Sequence, residues 1–200
     1  MSIGQAGDWL ASTNRLSSPR CLALAADNSL WIAEGASRVS HWAPDGSYLG
    51  QVGHTWDCGQ DNERLCNPEG VAIDSAGRLY VADTENHRIQ IFSPTGQFIR
   101  AFGSQGSGNG QFSYPWGVTI GRNGRIYVSD TGNHRVQEFN RNGRFRTTWG
   151  RRGSTPGLFN LPRGIVADRQ GRIHVVDSAN HRVQVFRANG QVLRMWGQPG

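Results

Sequence analysis

Three stretches of this chain repeat at one fixed interval. Pro68-Glu69-Gly70-Val71-Ala72-Ile73-Asp74, Pro115-Trp116-Gly117-Val118-Thr119-Ile120 and Pro162-Arg163-Gly164-Ile165-Val166-Ala167-Asp168 each start 47 residues after the last. A strict period of that length restricts the fold to stacked copies of one supersecondary unit, because a single unit cannot bury its own apolar face. Each copy continues through a turn at Gly77, Gly124 or Gly171 into a run that ends in Asp83, Asp130 or Asp177. The block Asn86-His87-Arg88-Ile89-Gln90, Asn133-His134-Arg135-Val136-Gln137 or Asn180-His181-Arg182-Val183-Gln184 follows. The copies close on Phe102-Gly103, Trp149-Gly150 and Trp196-Gly197. A degraded first copy begins at Pro19. It carries Leu30-Trp31-Ile32-Ala33-Glu34 in the strand position and Arg38-Val39-Ser40 where the Asn-His-Arg block should stand, one residue short and without the histidine.

Turn residues divide every copy into four short runs, as in Val71 to Asp74, Leu79 to Asp83, Arg88 to Phe92 and Gln97 to Phe102, separated by Gly77 and Pro94-Thr95-Gly96. Nothing reads as a helix. Leu79-Tyr80-Val81-Ala82 is apolar on both faces of the pleat, which suits a sheet held between two neighbours better than one facing water.

Asn-His-Arg-[Ile/Val]-Gln after an Asp-[Thr/Ser] strand end resembles the NHL repeat, with Arg in place of its third residue, Leu. The resemblance covers most of the chain and implies an all-β fold, a β-propeller of four-stranded antiparallel blades with the first strand of each lining a central channel. It places blades at about residues 19–53, 68–103, 115–150 and 162–197, with 1–18 as the tail of a preceding blade and its link. Ile3-Gly4, Asp8 and Arg15-Leu16 precede Pro19 at the spacings at which Val52-Gly53, Asp57 and Arg64-Leu65 precede Pro68. Trp196-Gly197-Gln198-Pro199-Gly200 matches the start of the link at Trp149-Gly150-Arg151-Arg152-Gly153. The four repeats are therefore expected to be a segment of a larger ring, of about six blades as in similar propellers.

Charge is distributed unevenly. All 21 basic residues are arginine, and residues 1–100 hold 7 of them against 11 acids (7 − 11 = −4), whereas residues 101–200 hold 14 against 4 (14 − 4 = +10). Guanidinium groups favour flat, bidentate anion contacts, and Arg141, Arg144, Arg146, Arg151 and Arg152 form the candidate basic patch for RNA phosphates. Few aromatics accompany them for base stacking beyond Trp149 and Trp116, so nucleic acid ranks below a protein or glycan partner. No apolar run approaches the ~18 residues of a membrane helix, and no membrane insertion is expected.

Cys21, Cys58 and Cys66 match no zinc or haem spacing. Cys58 and Cys66 bracket a polar loop that a disulfide could staple, with two free thiols as the alternative; the staple would place the protein in an extracytoplasmic or secreted setting. Cys21 is read as a small core residue.

His87, His134 and His181 invite a zinc reading. They open the third strand of each blade, however, roughly 10 Å further out than the innermost strand, so blade-related copies should stand too far apart to share an ion. Their expected role is structural: a His or Arg bonding the preceding Asp to fix the turn. Asp83, Asp130 and Asp177 recur once per blade and read as turn-fixing acceptors rather than catalytic carboxylates. No metal, cofactor or catalytic residue is assigned. Function is expected where copies differ, and Arg20, Glu69, Trp116 and Arg163 occupy one repeat position at the mouth of the innermost strand, facing the channel rim. The links between blades are a second variable region. The preferred reading is a non-enzymatic scaffold presenting rim and links to a protein or glycan. The alternative follows from resemblance to peptidyl-hydroxyglycine amidating lyases and lactonases, propeller enzymes that hold zinc or calcium through His or acidic ligands in the channel.

Overall fold

The computed structural model describes residues 15–197. The register match at Ile3, Gly4 and Asp8 and the residues after Gly197 lie outside them. Each repeat folds as one blade. The first holds β1 (Pro19–Leu24), β2 (Leu30–Glu34), β3 (Arg38–Trp42) and β4 (Tyr48–Gly53). The second holds β5 (Gly70–Ile73), β6 (Leu79–Asp83), β7 (Arg88–Phe92) and β8 (Phe98–Phe102). The third holds β9 (Pro115–Ile120), β10 (Ile126–Asp130), β11 (Arg135–Phe139) and β12 (Phe145–Trp149). The fourth holds β13 (Pro162–Ala167), β14 (Ile173–Asp177), β15 (Arg182–Phe186) and β16 (Val192–Trp196). All four sheets are antiparallel with neighbours in chain order.

Period-2 alternation decides where each side chain goes. In blade 2, Leu79 and Val81 face blade 1 and join Trp31, Ala33, Val39 and Val52 in one core. Tyr80 and Ala82, one residue out of phase, face blade 3 and join Val118, Ile126, Val128 and Phe139 in a second. A third core between blades 3 and 4 gathers Tyr127, Val136, Ile173, Val175 and Phe186. The described residues thus share no single centre and form one core per junction, as repeat architectures require. Link residues Leu65, Phe112 and Phe159 are fully buried and close each core from the side.

The innermost strands lie side by side in the order β1, β5, β9, β13, and no comparable contact joins β13 back to β1. Spacing between them is close. A β-carbon at Gly70 would sit 2.4 Å from the Trp116 carbonyl oxygen, and one at Gly117 2.6 Å from that of Arg163; glycine is what allows these backbones to approach. Four blades are described, where the resemblance implies about six.

Candidate functional site: the channel rim

A short 3-10 turn follows the second strand in blades 2, 3 and 4, at Thr84–Asn86, Thr131–Asn133 and Ser178–Asn180. It folds the recurrent block onto the strand-end carboxylate. Asp83 accepts the Cys66 amide (2.7 Å), Asn86 Nδ2 (2.9 Å), Arg88 Nε (2.7 Å) and Gln90 Nε2 (3.0 Å). Asp130 and Asp177 repeat the arrangement with Ser113 and Asn160 as amide donors. All three carboxylates are fully buried and saturated, which is a structural assignment. Burial pushes the Asp130 carboxyl above its usual range, against the hydrogen bonds of Ser113, Asn133 and Arg135. Asn86 and Arg88 also bond carbonyls of the incoming link, at Gly59, Gln60, Asp61 and Arg64.

The histidines do something else. The expected bond to the preceding Asp is made by Arg88, Arg135 and Arg182, while the imidazoles of His87 and His134 reach the next link. His87 Nδ1 accepts the Tyr114 amide and His134 Nδ1 the Leu161 amide, both at 3.1 Å. Tyr114 and Leu161 each precede a proline and hold φ of 49° and 52°, a left-handed conformation uncommon for bulky residues. The histidine bond, with the Tyr114 ring edge-on to His87 at 4.7 Å, fixes both residues so that their side chains are exposed.

Tyr114 and Leu161 lie two positions before Trp116 and Arg163, and the structure brings the four rim residues together in two pairs. Arg20 Nη1 lies 2.9 Å from Glu69 Oε1, and the Arg163 guanidinium lies over the Trp116 ring at 4.2 Å. Burial raises the Glu69 carboxyl above its usual range, opposed by Arg20 and then Arg163, while Glu85 adds to the rise. The two pairs therefore share one field at one end of the channel. The Ser129 hydroxyl, which donates to the Arg163 carbonyl at 2.5 Å and accepts the Gly117 amide at 2.8 Å, locks this part of the rim.

The basic patch is not brought together. Arg141 and Arg144 border the β11–β12 turn, and Arg151 and Arg152 follow β12 at its other end, roughly 17 Å away for a five-residue strand. Arg146 bonds Glu138, which also pairs with Arg125. Arg141 instead lines a cleft of about 500 Å³ between blades 2 and 3 with Asp74, Arg78 and Arg122, at the far end of the inner strands from the rim.

Cys58 and Cys66 are disulfide-bonded, with Cα atoms 4.5 Å apart. This staple distinguishes the link into blade 2 from the other two. With Glu85 the two cysteines form the one cluster of metal-ligand type among the described residues, and there both sulfurs are committed to the bridge. No helix among those residues is long and apolar enough to cross a membrane.

Among the described residues, sixteen short strands in four antiparallel sheets, stacked about adjacent inner strands, define a β-propeller. The chain carries three NHL repeats: the NHL repeat model matches residues 65–92, 112–139 and 159–186. Mouse peptidyl-glycine alpha-amidating monooxygenase is 32% identical over 105 residues, 48% of this chain and 11% of the mouse protein. Bovine E3 ubiquitin-protein ligase TRIM71 is 48% identical over 40 residues, 20% of this chain and 5% of the ligase. The chain thus spans about a tenth or less of the length of these curated relatives. A chain of the crystallised nidogen/laminin complex superposes with TM-score 0.68 at 18% identity, covering 92% of this chain and 65% of that one; at that identity the likeness is one of fold.

Proposed function

We propose that this propeller is a non-enzymatic binding module that presents the rim set Arg20, Glu69, Trp116 and Arg163, with the inter-blade links, to a protein or glycan partner outside the cytosol. One observation carries the reading. The Asp, Asn, Arg and Gln side chains that recur in every full copy are consumed in holding blades and links, whereas four residues that differ between copies pair at the start of the inner strands. That rim offers two guanidiniums and an indole, with the Glu69 carboxylate buried and paired to Arg20 and the exposed Tyr114 ring in the same chain segment as Trp116, a surface suited to an anionic group attached to an apolar or planar one. The Cys58–Cys66 bridge supports an oxidising setting. A glycan and acidic-peptide array tests the reading: ligands retained by the unaltered chain should be lost, by about tenfold in affinity or more, on Trp116→Ala and Arg163→Ala. Retention unchanged in both variants would remove the rim from the interface.

The similarity to the mouse amidating enzyme favours a second reading, a metal-dependent propeller enzyme. The inner strands β1, β5, β9 and β13 contain no histidine, and the acid beside them at the rim is Glu69. Stoichiometric zinc or calcium in protein purified without chelators, together with cleavage of a peptide ending in α-hydroxyglycine, would establish that reading over the first.

A further inference from the structure

At each junction between described blades a cleft opens at the end of the inner strands away from the rim, and the three clefts are built from equivalent positions of the repeat. The cleft between blades 1 and 2 measures about 330 Å³ and is lined by Asp27, Ser29 and Ser75 beside Trp31, His41 and Pro94. The cleft between blades 2 and 3, about 500 Å³, sets Asp74 among Arg78, Arg122 and Arg141. Between blades 3 and 4 the volume is about 660 Å³, and Arg122 and Arg169 line it with Asn123 and Gln170 and without an acid. The first cleft thus has one carboxylate and no guanidinium, the third two guanidiniums and no carboxylate.

A difference in the inner turns accounts for the third cleft. In blades 2 and 4 this turn opens on an aspartate that accepts two turn amides and pairs with the arginine four residues on, Asp74 with Arg78 at 2.6 Å and Asp168 with Arg172 at 2.5 Å. In blade 3 Gly121 takes the place of the aspartate, and Arg125 turns instead to Glu138 at 2.9 Å. Neither Arg122 nor Arg169 forms an ion pair among the described residues. Arg122 is nonetheless held in place, because its Nη1 donates to the Arg169 carbonyl across the cleft at 2.9 Å. That bond occupies one of the five N–H groups of the guanidinium.

We infer that the cleft between blades 3 and 4 binds a sugar carrying a phosphate or sulfate ester. Arg122 and Arg169 grip the oxyanion through charge-assisted hydrogen bonds. The side-chain amides of Asn123 and Gln170 offer donors and acceptors to hydroxyl groups. Tyr127, Ile173 and Ala188, which belong to the core between these blades, back the sugar ring. The first cleft, with Asp27 and no arginine, repels the same anion. This inference does not depend on what the rim binds, because the two sites lie at opposite ends of the inner strands.

Titration calorimetry of the full chain with glucose 6-phosphate and glucose 6-sulfate tests it, and at least one probe should bind saturably. Arg122→Gln and Arg169→Gln should each weaken that binding by about tenfold. Both side chains are exposed, so circular dichroism should show each variant folded. Arg144→Gln removes the same charge from the β11–β12 turn, at a residue that lines none of the three clefts, and should change the affinity by less than about twofold. In the unaltered protein, the amide NMR resonances of residues 121–124 and 169–171 should move during the titration while the Trp116 indole resonance stays. Tighter binding of the phosphate, weakening as pH falls through about 6, assigns a phosphorylated sugar; sulfate binding that is at least as tight and flat with pH assigns a sulfated one. Neither probe binding at millimolar concentration overturns the proposal, as does an Arg144→Gln loss equal to that of the cleft variants or a titration that moves the indole and not the cleft amides.

Discussion

Blade 1 and blade 3 solve one local problem with different chemistry. In blade 3, Asp130 gathers an amide, Asn133, Arg135 and Gln137, and His134 reaches forward to the following link. In blade 1 the turn is one residue shorter, and the longer Glu34 takes the place of the aspartate. It accepts the Ser17 amide at 2.5 Å and pairs with Arg38 at 3.0 Å, and Arg38 in turn bonds the Arg15 carbonyl at 2.6 Å. Ser37 takes the left-handed position that His134 holds in blade 3, with φ of 61° against 55°. The extra methylene of glutamate compensates for the missing residue. What the fold requires here is a buried anion that ties the incoming link to the second strand, more than any particular side chain.

The sharpest test of that equivalence removes the anion from each blade. Asp130→Ala strands a buried guanidinium and several donors and should cost about 3–5 kcal/mol in chemical denaturation. Glu34→Ala leaves fewer donors unmatched and should cost less; equal losses would break the distinction between the two arrangements. A second test concerns the inner strand. Gly117→Ala forces a β-carbon against the Arg163 carbonyl and should destabilise by about 1–3 kcal/mol. Cys21 stands in blade 1 at the repeat position of Gly70 and Gly117, so Cys21→Ala should cost under about 1.5 kcal/mol.

The smallest expected effect is one of pH. Burial holds the His134 imidazole below its usual range, Arg152 adds to that, and Asp177 opposes it. A histidine depressed in the folded state binds fewer protons there than in the unfolded chain. Its contribution is therefore complete above the ordinary value of about 6.5 and declines as pH falls below it. Protonated Nδ1 can no longer accept the Leu161 amide, so that amide's NMR resonance should move as pH drops through this window. In blade 1 the equivalent Ser37 does not titrate, and the residue before Pro68 should show no such response.

Much of this architecture was legible in the sequence because a period of 47 residues leaves few folds open and Gly, Pro and Asp mark its turns. The Asp-centred block was legible for a related reason: its members lie within seven residues of each other. The rim set was found by asking where the copies differ, and its pairing as Arg20–Glu69 and Trp116–Arg163 follows from neighbouring inner strands. The forward reach of His87 and His134 was hidden, because it spans 27 residues and depends on a left-handed residue before proline. Glu34 was hidden by the deletion beside it. The arginines around β12 looked like one patch because adjacency in sequence ignores the length of the strand between them.

Every link here is gripped by both blades it joins, by the carboxylate block of the blade ahead and, after blades 2 and 3, by the histidine of the blade behind. The unit that recognises itself is thus the whole 47-residue repeat, cut at any point along its length. Copying such a unit in frame inserts a blade that finds both of its partners ready made, so a gene encoding this chain can lengthen the array without inventing a contact. A stray insertion inside a repeat would disturb two neighbours at once.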